Sequence, residues 1–184
     1  MNTVFGYDLN AGLAAIREGV ANVCRQFPGE YWRQCDAARR YPGEFVTALM
    51  REGYLAAMIP EEYGGSGLNL TAAAVILEEI HRQGCNAAAC HAQMYTMGTV
   101  LRHGSPAQKQ TFLPKIADGS LRLQAFGVTE PASGTDTLAL KTTATRDGGG
   151  YIVKGQKIWT SRAEHSDLRL LLARTAPRAT AAKK

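Results

Sequence analysis

The spacing of apolar residues predicts that the first part of the chain is helical. Between Asp8 and Phe27 apolar residues recur at alternating steps of four and three, which is one face of an amphipathic helix, and Pro28 with Gly29 ends it. Proline, glycine and capping residues divide the sequence that follows into shorter helices. These predicted helices cover residues 30–40, 42–53, 69–84 or 71–84, 86–102 and 105–119. Pro114 is expected to break or restart the last one.

After Gly119 the pattern changes to short runs rich in β-branched and aromatic residues, which predict strands. The predicted strands cover residues 121–129, 141–146, 151–154, 157–160 and 168–173. The stretches "RDGGGY" and "KGQK" between them are typical of hairpin turns, because glycine supplies the positive φ that tight connections need. Helices followed by strands favour an α+β fold over alternating βαβ units.

Composition narrows the class of protein. The chain has 184 residues, 45% of them hydrophobic and 20% charged, which suits one or two small globular domains. The net charge of +5 is modest, and no basic run is interleaved with aromatic residues, so nucleic-acid binding is not expected. The first residues show no basic leader or apolar run, and no stretch is apolar enough to span a membrane, so we expect a cytoplasmic protein.

Three other kinds of site can be weighed from short motifs. The stretch "YGGSGLNL" lacks the Lys-Ser/Thr of a phosphate-binding loop and favours a tight connection between helices. The four cysteines are scattered through helical sequence, which indicates reduced core thiols, and their spacing with nearby histidines matches no common zinc site. Ser161, His165 and Asp167 lie too close along one loop to form a catalytic triad by themselves. We therefore expect no bound metal and no hydrolase.

The stretch "FGVTEPASGTD" carries the first candidate site. As a strand it places Phe126, Val128 and Glu130 on one face and Gly127 and Thr129 on the other. The proline that follows Glu130 ends the strand at a set place. The small residues after it, with the Thr135 hydroxyl, suit the close approach of a polar or phosphorylated ligand, although the same residues also suit an ordinary turn.

The stretch "GQKIWTS" carries the second candidate site. Trp159 at a strand end, followed by Thr160 and Ser161, can present a flat ring and two hydroxyls to a flat heteroaromatic ligand. A core tryptophan followed by a turn is the alternative interpretation.

Taken together and in this order, these stretches resemble the acyl-CoA dehydrogenase family. The resemblance extends over almost the whole chain to about residue 175 and rests on five motifs: "GYLAAMIPEEYGGSGLNL", "GSPAQKQTFLPKIADGSL", "TEPASGTD", "TTATRDGGGYIVKGQKIW" and "GQKIWTS". It implies an N-terminal all-helical domain at residues 1–120 and, at residues 121–175, the start of a middle domain. That middle domain is expected to be an incomplete antiparallel, barrel-like sheet. Residues 176–184 are expected to be an unstructured basic tail.

The resemblance also implies a function. The family consists of FAD flavoproteins of fatty acid metabolism that remove hydrogens from the α and β carbons of an acyl-CoA thioester. Electron-transfer flavoprotein is the electron acceptor it implies, and the full-length parent is expected to be a homo-oligomer.

The resemblance further implies roles for individual residues. Phe126, Val128 and Thr129 would line the flavin and Trp159 would cover it. Thr135 would reach the flavin phosphates and the acyl-CoA. Thr160 and Ser161 would border the flavin ring, with the Ser161 hydroxyl near the nitrogen that receives the hydride. Three positions depart from the usual pattern, with Thr135 for serine, Ser133 for alanine and Thr160 for isoleucine.

One expected part of the machinery has no candidate in this chain. The resemblance places the general base, a glutamate, in a C-terminal helical bundle, and no carboxylate here matches it. We therefore expect a truncated chain that is inactive alone. Two alternatives stay open: a non-catalytic fragment that binds flavin or acyl-CoA, and a flavin monooxygenase or nitroalkane oxidase that shares the fold.

Overall fold

The structure is a computed structural model, and it describes residues 11–176, with side chains from residue 13 onward. The chain divides into two compact units at the junction of Arg122 and Leu123. The first unit is helical and the second contains all of the β-strands of the described residues. This order agrees with the α+β fold predicted from the sequence. The predicted start of the first helix and nearly all of the predicted basic tail lie outside the described residues.

Among its described residues the first unit contains six α-helices, each within a few residues of its predicted position. They are α1 (Ala11–Cys24), α2 (Gly29–Ala37), α3 (Gly43–Arg51), α4 (Leu70–Arg82), α5 (Ala88–His103) and α6 (Pro106–Ala117). The break predicted at Pro114 is wrong, because α6 continues past it to Ala117. Leu113 and Ile116 are fully buried on either side of the proline, so packing holds the turn in spite of the missing backbone N–H.

Local capping explains where two of these helices begin. The Asn69 side chain accepts a hydrogen bond from the Ala72 backbone N–H at 3.0 Å and starts α4. At α6 the Ser105 hydroxyl accepts from the Gln108 N–H at 3.2 Å, while the Gln108 side chain accepts from the Ser105 N–H at 2.9 Å. This reciprocal pair is a capping box, which is encoded entirely by local sequence.

An apolar core holds the helical unit together. The most deeply buried side chains come from five of these helices, α1, α3, α4, α5 and α6, and from the turns between α3 and α4. They include Phe45, Leu49, Leu55, Ile59, Ile76, Ile80 and Met97. The aromatic rings of Phe27, Tyr31, Trp32 and Phe45 meet edge to face at one end of this core. All four cysteines are buried and free, which confirms the prediction of reduced core thiols.

The glycine-rich stretch between α3 and α4 is a tight connection, as predicted. The Gly67 N–H donates to the Ile59 carbonyl at 2.8 Å, and the Leu68 N–H donates to the Ala57 carbonyl at 2.8 Å. A Cβ at Gly65 would lie 2.1 Å from the Ile59 carbonyl oxygen, so only glycine fits there. These backbone N–H groups are used within the loop, which explains why the stretch lacks the character of a phosphate-binding loop.

Up to residue 176, where the described residues end, the second unit contains four short strands in two pairs. Strands β2 (Thr143–Asp147) and β3 (Gly150–Lys154) form the predicted hairpin over "RDGGGY" and pair antiparallel. Strands β1 (Ala125–Gly127) and β4 (Arg169–Leu171) pair parallel, with Phe126 opposite Leu170. The predicted incomplete antiparallel sheet is therefore corrected for β1 and β4, which pair parallel, and no closed barrel forms among the described residues. A parallel pair needs a long connection, because the chain must return to the end at which the first strand began. Residues 128–168 form this connection between β1 and β4.

The strand predicted at residues 157–160 is wrong, and so is the "KGQK" hairpin. Trp159 has a φ of 60°, a left-handed conformation that a strand cannot include. Gly155, with a φ of 157°, lies against Thr142, and a Cβ there would be 2.3 Å from the Thr142 Oγ1. The glycine therefore serves a close approach between two backbone segments rather than a hairpin turn.

No helix within residues 11–176 is long and apolar enough to cross a membrane.

Candidate functional site

A tight turn begins the site just after β1. The Glu130 N–H donates to the Ser133 carbonyl at 2.8 Å and the Ser133 N–H donates back to the Glu130 carbonyl at 3.2 Å, so the chain reverses over Pro131 and Ala132. The strand itself ends earlier than predicted, at Gly127. The predicted alternation of faces therefore stops there, and the structure buries the Glu130 side chain.

The buried carboxylate of Glu130 accepts several hydrogen bonds. It accepts from the Lys141 N–H at 2.6 Å, from the Thr142 N–H at 2.9 Å and from the Lys157 ammonium at 2.9 Å. Thr142, Lys157 and Lys141 together hold the pKa of Glu130 well below its ordinary value, because each places a donor against the charged form. The group is an ionised carboxylate at neutral pH.

The partner of this carboxylate, Lys157, belongs to the second candidate motif. Its ammonium also donates to the Val128 carbonyl at 2.8 Å. The side chains of Lys157 and Glu130 are only 9% and 4% exposed. Sequence reasoning assigned no role to either residue. The signal that could have revealed them is a pair of opposite charges, with one residue in each of the two short motifs.

A backbone hydrogen bond joins the two motifs directly. The Ile158 N–H donates to the Thr129 carbonyl at 2.9 Å, one residue after the lysine and one before the glutamate. We call this bond, together with the Glu130–Lys157 ion pair and the Lys157–Val128 hydrogen bond, the motif junction. It places residues 128–130 beside residues 157–158.

Trp159 follows the motif junction and points away from the protein. Its side chain is 83% exposed, and its backbone is left-handed, which for an aromatic residue costs about 1–3 kcal/mol. The Ser161 N–H donates to the Trp159 carbonyl at 2.9 Å, and Arg162 is again left-handed with a φ of 59°. The sequence allowed either a ligand-facing or a core tryptophan, and the core interpretation is wrong.

The small-residue loop after the turn is ordered by its own hydrogen bonds. The Ser133 hydroxyl donates to the Asp136 carbonyl, and the Asp136 carboxylate accepts from the Leu138 N–H at 3.1 Å. A Cβ at Gly134 would lie 4.0 Å from the Thr129 methyl group, so this loop packs beside Thr129. Thr135 lies next to that glycine and is exposed.

Arg174 fixes the far side of the same loop. Its guanidinium donates to the carbonyls of Leu138 and Leu140, the latter at 3.3 Å. Its backbone bridges residues 142 and 144, accepting from the Ala144 N–H at 2.8 Å and donating to the Thr142 carbonyl at 2.8 Å. The loop is therefore held at both ends, by Glu130 at one and by Arg174 at the other.

The predicted site residues differ in how deeply they are buried and in whether a hydrogen bond connects their segments. Val128 and Thr129 are half-buried and joined to the Trp159 segment through the motif junction, and Phe126 is half-buried on β1. Thr160 is half-buried, whereas Thr135 and Ser161 are exposed. No hydrogen bond of the described residues joins Thr135 to the Trp159–Ser161 segment. The structure thus brings most of the predicted residues to one place, with Thr135 on the adjoining loop.

The described part of the chain offers no competing metal centre. No group of three or more His, Cys, Asp and Glu side chains within residues 11–176 is placed to hold a metal ion.

A cleft of about 500 Å³ lies in the helical unit beside Trp32, Arg39 and His81, and none of the predicted site residues lines it.

Comparisons with known proteins point to one family. The sequence model of the acyl-CoA dehydrogenase N-terminal domain matches residues 11–120, and that of the acyl-CoA dehydrogenase middle domain matches residues 125–184. Acyl-CoA dehydrogenase FadE26 of Mycobacterium tuberculosis is 38% identical over 77% of this chain and 35% of that protein. Glutaryl-CoA dehydrogenase of Desulfococcus multivorans is 33% identical over 92% of this chain and 44% of that protein.

A solved structure agrees with these sequence relatives. The acyl-CoA dehydrogenase from Geobacillus kaustophilus superimposes with a TM-score of 0.84 at 27% identity, covering 92% of this chain and 44% of that one. The chain thus spans less than half the length of the relatives it matches. Since the two domain models together match most of its residues, the chain belongs to the acyl-CoA dehydrogenase family.

Proposed function

We propose that this chain supplies the flavin-binding face of an FAD-dependent oxidoreductase that dehydrogenates an acyl-CoA thioester between its α and β carbons. Membership of the acyl-CoA dehydrogenase family supports the reaction class. The observation that carries the flavin assignment is the exposed ring of Trp159, placed directly after a buried junction with Thr129. A large aromatic side chain left 83% exposed on a constrained backbone suits a flat ligand better than it suits solvent.

The residues around Trp159 fit FAD chemically. Phe126, Val128 and Thr129 offer half-buried apolar and hydroxyl surface, and Ser161 offers an exposed hydroxyl beyond the tryptophan. Hydrogen-bond donors beside a planar redox ring can orient it and stabilise the charge that it gains. We assign to the Thr129, Thr160 and Ser161 segments contact with the ring and to Trp159 its covering.

Thr135 is assigned to the phosphate groups of FAD and to the acyl-CoA. It lies in a loop of small residues, is exposed, and is followed by an aspartate whose carboxylate is engaged by the loop backbone. The exposed Thr135 hydroxyl is one of the polar groups that this loop presents to a ligand. Bound FAD would supply the hydride acceptor, while the residues of this chain bind and orient it.

The proton-abstracting base is not assigned to any residue of this chain. The family resemblance places it in the part of the relatives beyond the matched half, and general-base catalysis needs a carboxylate within reach of the α-proton. We therefore propose that these residues alone bind flavin but do not turn over acyl-CoA. Reoxidation by electron-transfer flavoprotein and assembly into a homo-oligomer are proposed for the parent enzyme.

A flavin titration of the purified chain tests this proposal. FAD should bind saturably at one per chain, with a change in its visible absorption, and acyl-CoA-dependent dye reduction should stay at background. Tyr151→Ala is the matched control, since it removes an exposed aromatic ring from β3 without touching the motif junction. Failure to bind FAD at any concentration up to its solubility, in a chain that is demonstrably folded, would refute the flavin assignment.

A further inference from the structure

We propose that Glu130 and Lys157 are positioning residues, which set the orientation of Trp159 through the motif junction. The importance of this orientation for flavin binding rests on the proposed function, whereas the orientation itself is a property of this chain that can be tested without flavin. An exposed side chain cannot be positioned by packing, so its direction must come from the backbone on either side. On the upstream side of Trp159, that constraint is the motif junction.

The pair differs from an ordinary ion pair because each charge has backbone partners of its own. The Glu130 carboxylate accepts from the N–H groups of Lys141 and Thr142, whereas the Lys157 ammonium donates to the Val128 carbonyl. Donors surround the anion and an acceptor meets the cation. The site is therefore built for a carboxylate at position 130 and an ammonium at position 157, and for no other arrangement of the two charges.

The two residues connect segments that are distant in sequence. Glu130 and Lys157 are 27 positions apart, and the Ile158–Thr129 hydrogen bond adjoins their ion pair. Burying two charges is a poor way to gain stability, since desolvation offsets much of their attraction. What the pair does provide is one fixed alignment of the two segments, and with it the left-handed backbone of Trp159.

Fluorine NMR on the full 184-residue chain labelled with fluorotryptophan tests the inference without any flavin. The chain has two tryptophans, Trp32 in the helical unit and Trp159 here, so two resonances are expected, assigned with Trp159→Phe. Glu130→Gln and Lys157→Met should each shift or broaden the Trp159 resonance and leave that of Trp32 unchanged. Lys154→Met, which removes a charge from the exposed strand β3, is the matched control and should change neither.

The exchanged pair, Glu130→Lys with Lys157→Glu, gives the sharpest discrimination. The backbone partners predict that it does not restore the wild-type Trp159 resonance, because a lysine at 130 would face two N–H donors. The conservative Lys157→Arg should shift the Trp159 resonance less than Lys157→Met does, since arginine keeps a donor near the Val128 carbonyl. Restoration by the exchange, or a wild-type Trp159 resonance in both single variants, would overturn the inference.

A flavin titration of the same variants separates this inference from the proposed function. If the wild-type chain binds FAD, Glu130→Gln and Lys157→Met should weaken binding about tenfold or more, while Lys154→Met should not. If the single variants lose the Trp159 resonance position but the wild type never binds FAD, the positioning role stands and the proposed function fails. If the single variants shift the Trp159 resonance but bind FAD like the wild type, the positioning role stands and the assignment of Trp159 to the flavin fails.

Discussion

The helical unit and the β unit of this chain differ in the side chains that they bury. In the helical unit the most deeply buried side chains are mostly apolar, Phe45, Leu49 and Ile76 among them. In the β unit, about half of the buried side chains of the described residues are polar: Gln124, Glu130, Ser133 and Thr142 are buried beside Leu123, Ala125 and Leu140. Many of the large apolar residues of this unit lie at the surface: Leu138, Tyr151, Ile152, Val153, Trp159, Leu168, Leu171 and Leu172 are all exposed.

This difference separates a scaffold from a binding surface. Apolar packing is non-directional and gives the helical unit its stability, whereas buried hydrogen bonds and charges fix the alignment of particular segments. A group of exposed apolar side chains is typical of a surface that contacts a ligand or another part of a protein. The predictions below test this contrast, from the largest expected effect to the smallest.

Truncation of a core leucine should have the largest effect. Leu49→Ala removes a fully buried side chain from the helical core and should lower the free energy of unfolding by about 2–5 kcal/mol. The matched truncation in the β unit, Val153→Ala, removes an exposed side chain and should change it by no more than about 0.5 kcal/mol. Urea unfolding followed by circular dichroism measures both. Equal losses would show that the two units do not differ in this way.

Removal of the exposed ring should separate binding from stability. Trp159→Ala should weaken FAD binding about 10- to 100-fold, because stacking surface is lost, while urea unfolding shifts by no more than about 0.5 kcal/mol. Flavin fluorescence during titration measures the affinity. A variant that binds FAD like the wild type would remove Trp159 from the site, and a large loss of stability would place its ring in a packing role.

On the acid side, pH should act on the β unit. The pKa of Glu130 is lowered below its ordinary 4.5, so this carboxylate contributes stability above pH 4.5 that is lost progressively as the pH falls toward its folded-state pKa. As the pH falls below 4.5, urea unfolding of the wild type should therefore show a transition to a lower free energy of unfolding that Glu130→Gln does not show. A transition of the same size in both proteins would assign it to another group.

On the alkaline side, pH should act on the helical unit. Burial raises the pKa of Cys90 from 9.0 to about 12, and burial with the neighbouring Cys85 raises that of Cys24 to about 12. These thiols contribute stability below pH 9.0 that is lost as the pH rises toward 12. Between pH 9 and pH 12 the urea concentration at the midpoint of unfolding, followed by the circular dichroism of the helices, should fall as the pH rises. Cys90→Ala should make this midpoint depend less on pH. An unchanged slope in the variant would contradict the role of this thiol.

Loss of a helix cap should have the smallest effect. Ser105→Ala removes the hydroxyl half of the capping box at α6 and should cost about 1 kcal/mol. Thr111→Ser, which keeps a hydroxyl on an exposed position of the same helix, is the control and should cost less. Thermal melting of both variants makes the comparison, and a smaller loss in Ser105→Ala than in the control would show that the cap is not used.

The fold was predictable where its cause is local. Helix starts at Asn69 and Ser105 follow from residues three positions apart, and the β2–β3 hairpin follows from its glycines. The parallel pairing of β1 with β4 depends on strands far apart in sequence, which no local pattern reveals. The strand expected at residues 157–160 fails because Lys157 turns inward to Glu130 and Trp159 is left-handed.

The candidate site shows the same limit. The residues thought to face the flavin came from a family resemblance, and the structure places most of them near one another. The residues that align them, Glu130 and Lys157, escaped notice because a charged residue in a short motif looks solvent-exposed until its partner is known. Arg174, which fixes the loop after Ser133, was missed for the same reason.

Hydrogen–deuterium exchange of the 184-residue chain with and without FAD tests the central claim most directly, because it reports where the flavin binds. FAD should slow exchange in peptides covering residues 126–135 and 157–161, while exchange in the helices of the first unit should change little by comparison. FAD binding that protects the helical unit and leaves both of those segments unchanged would contradict the account.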